Sequence, residues 1–325
     1  MNILPRLSIA HLPTPVESLE RLSESLNGPR LLIKRDDQTG LAFGGNKTRK
    51  LELLLADAMQ TGRRMLVTAG AIQSNHCRQT AAAAARYGFD CTLVLTGEPP
   101  EHYSGNLLLD RLFGAQIIWT DRQHREDKLQ ETFKRARDDG KNPYLVPYGG
   151  SSPVGAAAYA LAIQEFLAQS VHADWMILAS SSGGTHAGMV AGARIFGYSG
   201  KILGISIDEP EQVLKVRVAA LASQTAEVLG ENQQFSADDI MVDANYLGEG
   251  YGVMGTLERH AIETFACQEG LLLDPVYTGR AAGGMLDLLQ KGIFKKSETV
   301  LFWHTGGQPA LFADKYQSEL NLPEG

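Results

Sequence analysis

The stretch "LAFGGNKTRKLE", Leu41 to Glu52, decides how the chain is read. Two glycines shortly before a Lys-Thr pair suggest the phosphate loop of a nucleotide-binding protein. In such a loop glycine directly precedes Lys-Thr, because the lysine curls over a cradle of backbone N–H groups to reach the terminal phosphates. Gly40 and Gly45 have that spacing, but Asn46 separates Gly45 from Lys47. Three roles stay open for Lys47: gripping a phosphate, forming a covalent bond, or sitting in solvent.

Outward from this stretch, apolar runs with β character recur at Leu31–Ile33, Met65–Thr68, Cys91–Leu95, Gln116–Trp119, Tyr144–Val146, Trp175–Ala179, Ile202–Ile207 and Thr299–Trp303. Each is followed by a turn and a helix-compatible stretch, such as Lys50–Thr61, Gln79–Tyr87 and Ala156–Leu167. This alternation predicts an α/β fold with parallel sheets covered on both faces. The 325 residues favour two open parallel sheets, with the chain crossing between them near "YGGSSPVG", Tyr148 to Gly155.

Composition narrows the function. With 44% hydrophobic and 21% charged residues the chain is an ordinary globular one, and a net charge of -7 without a basic block excludes a broad nucleic-acid footprint. The start "MNILPRLSIAHLPTP" lacks the pattern of a secretory signal and no run approaches a membrane span, so a cytoplasmic protein with a small-molecule partner is expected. Cys77, Cys91 and Cys267 form no CxxC pair, and the histidines lack metal spacing. Neither a disulfide framework nor a metal is expected.

Ligands of parallel sheets bind at loops leaving the carboxyl ends of strands, and glycine clusters occupy five such places: Gly44-Gly45, "TAGAIQSN", "YGGSSPVG", "SSSGGTHAG" and "HTGGQP". Around Ser182, Gly183, Gly184 and Thr185, backbone N–H groups opening a helix suit a phosphate. Ser74 and Asn75, also at a helix start, suit a carboxylate or simply a helix cap. Lys47, desolvated behind its glycines, could have a lowered pKa and form a Schiff base with an aldehyde. Pyridoxal 5'-phosphate supplies that aldehyde, a phosphate, and an electron sink for an amino acid. Lys50, on the same helical face, could then approach the phosphate.

The segments "KRDDQTGLAFGGNKTRKLE", "TAGAIQSNHCRQTAAAAA", "YGGSSPVGAAAY", "SSGGTHAG", "LDPVYTGRAAGGM" and "HTGGQPALF" together resemble, in order, the D-cysteine desulfhydrase and aminocyclopropane-carboxylate deaminase family. The resemblance implies the tryptophan-synthase-β-like fold (fold type II), with a large cofactor domain of residues 1–47 and 155–325, a small inserted domain of residues 48–154, and a homodimer. It makes Lys47 the lysine bound to the cofactor, Ser182 to Thr185 the phosphate loop assisted by Lys50, and Asn75 the neighbour of the cofactor's phenolic oxygen. Ser74 with Asn75 would seat the substrate carboxylate, and Tyr251 and Tyr277 would be the two active-site tyrosines. Where the deaminases have glutamate and leucine, this chain has Thr278 and Thr305, as the desulfhydrases do. Both threonines are expected near the cofactor ring, Thr305 on the cofactor and Thr278 at the substrate, giving a weaker electron sink suited to loss of a thiolate. The implied activity is β-elimination of D-cysteine to pyruvate, sulfide and ammonia, with Lys47 or an ionised Tyr277 removing the α-proton. The alternatives are aminocyclopropane-carboxylate deamination, a lyase for another β-substituted acid such as L-cysteate, or a non-catalytic pyridoxal-phosphate carrier.

Overall fold

A computed structural model describes residues 2–320. The strands are β1 (Val16–Ser18), β2 (Arg30–Arg35), β3 (Met65–Ala71), β4 (Asp90–Thr96), β5 (Gln116–Thr120), β6 (Pro143–Leu145), β7 (Trp175–Ser180), β8 (Lys201–Ser206), β9 (Met241–Asp243) and β10 (Thr299–His304). They form a six-stranded sheet in the order β1-β2-β10-β7-β8-β9 and a four-stranded sheet in the order β5-β4-β3-β6. The smaller sheet is built from chain that lies between β2 and β7, so it interrupts the larger one in sequence.

Apolar β10 ("TVLFWH") and β7 ("WMILAS") run through the middle of the larger sheet, buried along nearly their whole length, as parallel strands covered by helices on both faces must be. One departure from the expected all-parallel sheets is β1, which pairs antiparallel with β2 at the sheet edge. Together with β9 it escaped the sequence reading; both are three-residue strands at the edges of the sheet.

The helix Asn46–Gln60 starts directly after the opening glycines, so Lys47 is its second residue. Gly44 has φ 64°, and a Cβ there would lie 2.0 Å from the Asp37 carbonyl oxygen. Only glycine lets the chain turn so tightly from β2 into this helix. A buried polar cluster then fixes the helix to the large sheet. Arg49 meets Asp36 and Glu165, each at 2.8 Å, while Tyr159 Oη and Trp303 Nε1 donate to Asp36 Oδ2 at 2.6 and 2.8 Å. Removing one member of such a network leaves a buried charge unpaired, which costs about 3–5 kcal/mol. Lys47 thus projects from a rigid support. Among the described residues no helix is long and apolar enough to cross a membrane.

Candidate active site

Loops leaving β2, β3, β6, β7 and β10 meet around one cavity, as the five glycine clusters predicted. Lys47 borders it, and protein closely surrounds its amine. Burial lowers that amine's pKa to about 8, against the opposing effect of a hydrogen bond with Lys50. Lys50 is pushed well below the usual lysine value by its own burial, then by the charge and hydrogen bond of Lys47. Burial thus makes the neutral, nucleophilic form of Lys47 accessible at a lower pH than in a solvated lysine. Lys50 lies behind the cavity wall, with Nζ donating to the Gly149 carbonyl at 3.1 Å.

Gly183, which also borders the cavity, has φ 87° and caps the helix Gly184–Phe196. The first intrahelical bond runs from Ala187 N–H to Gly183 O at 2.8 Å, so the N–H groups of Thr185 and His186 precede it. A Cβ on Gly184 would lie 2.5 Å from Ser151 Oγ and 2.9 Å from Lys50 Nζ. An amide cradle that admits no side chain, backed by a lysine, is an anion site. Its shape is pinned by Gly184 N–H donating to Ser151 Oγ at 3.1 Å and by the Ser151–Ser182 hydroxyl contact at 2.7 Å. Asn46 Nδ2 donates to Thr185 Oγ1 at 3.0 Å, tying this loop to Lys47's helix.

Ser74 is a helix cap in fact, its Oγ accepting the Cys77 N–H at 3.2 Å, and it also borders the cavity. The cap uses the hydroxyl only as an acceptor. The orientation of Asn75 follows from its neighbours. Asn106 Nδ2 donates to the Gln73 carbonyl at 3.1 Å, which fixes the Asn106 amide; the same nitrogen donates to Asn75 Oδ1 at 3.1 Å. Asn75 Nδ2 is therefore the free donor of a residue in the cavity wall.

The hydroxyls of Tyr251 and Tyr277 are hydrogen-bonded to each other, their rings edge-to-face at 5.8 Å. Tyr277 borders the cavity, while Tyr251 lines an adjoining cleft that shares Tyr148, Ser181 and Ser182 with it. Burial, then the charge of Tyr148, pushes the Tyr251 pKa well above 10 against a lowering hydrogen bond from Tyr277; burial, then the charge of Tyr251, pushes Tyr277 well above 10 as well. That corrects the expectation of an ionised Tyr277: the phenol is held in its protonated form.

Thr305 borders the cavity, and its carbonyl accepts the Asn46 N–H at 3.0 Å. Thr278 does not border it, contrary to its expected place at the substrate. Its hydroxyl donates to Asp274 Oδ1 at 2.8 Å and accepts the Asp274 N–H at 2.7 Å, which turns the side chain into the protein. Residues that sequence reasoning missed include Asn46, treated only as a spacing fault, and Ser151, inside a loop noted for its glycines. His76 is a third. Thr68 Oγ1 gives its proton to the Val146 carbonyl at 2.8 Å, so it accepts from His76 Nε2 at 2.9 Å. Burial, followed by the charges of Lys47 and Lys50, holds that imidazole neutral.

These donors fit pyridoxal 5'-phosphate: an amine close to neutrality for an aldehyde, an amide cradle for a phosphate, and a fixed amide donor for a phenolic oxygen. Residues 7–306 match the family described as pyridoxal-phosphate dependent enzyme, and the chain belongs to that family. Within it, the chain is 42% identical over 318 residues to D-cysteine desulfhydrase of Salmonella choleraesuis (strain SC-B67), covering 95% of this chain and 96% of the relative. The same protein of Salmonella paratyphi C (strain RKS4594) matches to the same extent. Among solved structures, an ACC deaminase homologue superposes with a TM-score of 0.88 at 35% identity, over 98% of this chain and 95% of the other. Threonine deaminase isoform 2 from Solanum lycopersicum, at 15% identity and a TM-score of 0.68 over 96% of this chain and 83% of the other, shares the fold. Fold type II is thereby established.

Proposed function

We propose that the chain is a carbon-sulfur lyase that converts D-cysteine and water to pyruvate, hydrogen sulfide and ammonia. The observation that carries this reading is that Lys47, whose pKa desolvation lowers to about 8, borders the same cavity as the amide cradle at Ser182 to Thr185. The desulfhydrase names of relatives at 42% identity supply the substrate.

When bound, pyridoxal 5'-phosphate supplies an aldehyde for the substrate amine and a ring that takes up the electron pair left when the Cα–H bond breaks. Ser182, Gly183 and Thr185, with Lys50 behind them, would hold the phosphate, and Asn75 Nδ2 would donate to the phenolic oxygen. Ser74 Oγ and the neighbouring amides orient the substrate carboxylate, which sets the face of Cα presented to the base. Lys47 Nζ, neutral in part near pH 8, accepts the α-proton. Tyr277 Oη keeps its proton and can give it to the departing sulfur. Thr305, which borders the cavity, would present a neutral hydroxyl to the cofactor where the deaminases have leucine.

We read residues 48–154 as a small domain inserted into a large one of residues 1–47 and 155–325, and the protein as a cytoplasmic homodimer, on the family resemblance. Steady-state assays with D-cysteine, L-cysteine, L-cysteate and aminocyclopropane-carboxylate test the reading. D-cysteine should give the highest kcat/KM. Preferential release of 2-oxobutyrate from aminocyclopropane-carboxylate would instead make the chain a deaminase.

A further inference from the structure

Tyr251 lies in "GEGYGVMG", Gly248 to Gly255, where four glycines in eight residues leave the backbone little stiffness of its own. The carbonyls around it are nonetheless held. Arg280 Nη1 donates to Gly250 O at 3.1 Å and Nη2 to Val253 O at 2.9 Å. Tyr316 Oη and Lys315 Nζ both donate to Gly252 O, at 2.8 and 2.6 Å. Gly252 has φ 73°, and a Cβ there would meet Tyr316 Oη at 3.3 Å, so the close approach of that hydroxyl depends on glycine.

Arg280 is 1% exposed and pairs with Glu258 through Nε at 2.5 Å. A core ion pair would need no more. The rest of its fork goes to carbonyls, reaching Ile207 O at 2.8 Å just beyond β8 in addition to the two beside Tyr251. It also stands three residues after Tyr277, in the first turn of the helix Thr278–Gln290. One guanidinium therefore fixes the Tyr251 loop to the helix start that presents Tyr277, and the contact between the two phenols depends on that registration.

We propose that Arg280 and Tyr316 are positioning residues that hold the Tyr251 hydroxyl on Tyr277. This rests on the reading of Tyr251 as an active-site residue, and a double-mutant cycle separates the two claims. Tyr316→Phe keeps the buried ring and removes only the hydroxyl on Gly252 O. It should lower kcat for D-cysteine roughly three- to tenfold, the effect of one neutral hydrogen bond, with KM within about twofold. In a Tyr251→Phe background the same change should have less than about a twofold effect, because the group it positions is gone. Hydrogen exchange at residues 250–253 should quicken in Tyr316→Phe, with and without cofactor, while the helix Thr256–Glu269 stays protected. Arg280→Lys, which keeps a buried cation but loses the fork, should lower kcat at least as much. An equal loss in both backgrounds, or unchanged kcat in Tyr316→Phe, overturns the proposal. If Tyr251→Phe alone retains wild-type kcat, the reading of Tyr251 itself fails.

Discussion

Ser74→Ala separates two roles that one hydroxyl fills. Ser74 Oγ accepts the Cys77 N–H at 3.2 Å, so alanine removes the cap of the helix Asn75–Tyr87 and should cost about 1 kcal/mol of stability. The hydroxyl proton, which the cap does not use, is the donor assigned to the substrate carboxylate. Losing a hydrogen bond to a charged group costs about 1.5–3 kcal/mol, or roughly ten- to 150-fold in kcat/KM. Pyruvate release from D-cysteine measures that loss, with the cofactor's visible absorbance and a thermal melt as controls. The account expects a slightly lower melting temperature, normal absorbance, and kcat/KM reduced by at least about tenfold. A lower melting temperature with kcat/KM within about twofold of wild type would make Ser74 a cap only, and the carboxylate seat would have to be built from backbone amides alone.

Two more outcomes follow from the same geometry. The neutral amine is the form that adds to an aldehyde, so the rate at which cofactor-free protein recombines with pyridoxal phosphate should rise with pH, reach half its maximum near pH 8, and level above it. A rate still climbing at about pH 10 would mean that Lys47 is an ordinary lysine. Thr278→Val removes the hydroxyl that bonds Asp274 twice, so it should cost about 1–3 kcal/mol in a denaturant melt while leaving the ranking of substrates unchanged; a changed ranking would return Thr278 to the substrate's surroundings.

Eight strands were legible because each falls on an apolar run, as buried parallel strands require. β1 and β9 were not: both are edge strands of three residues whose pairing is decided by distant chain. Nor does local sequence say that β10 lies between β2 and β7. In the site, glycine loops after strands could be read directly, and Lys47 stood out because a P-loop could not explain it. What the sequence concealed was side-chain direction. Thr278 looks like an active-site residue until Asp274, four residues earlier, takes its hydroxyl. Asn46 looks like an interruption until its amide is seen joining the Lys47 helix to Thr185.

Lys47 and Lys50 lie three residues apart on one helix and both have lowered pKa values, so which amine holds the cofactor is the most direct question to ask of the site. Borohydride reduction of the yellow, cofactor-loaded protein, followed by peptide mass mapping with fragmentation, answers it. The account predicts that the reduced cofactor is carried by Lys47 alone. Attachment to Lys50, or to no lysine at all, would contradict it.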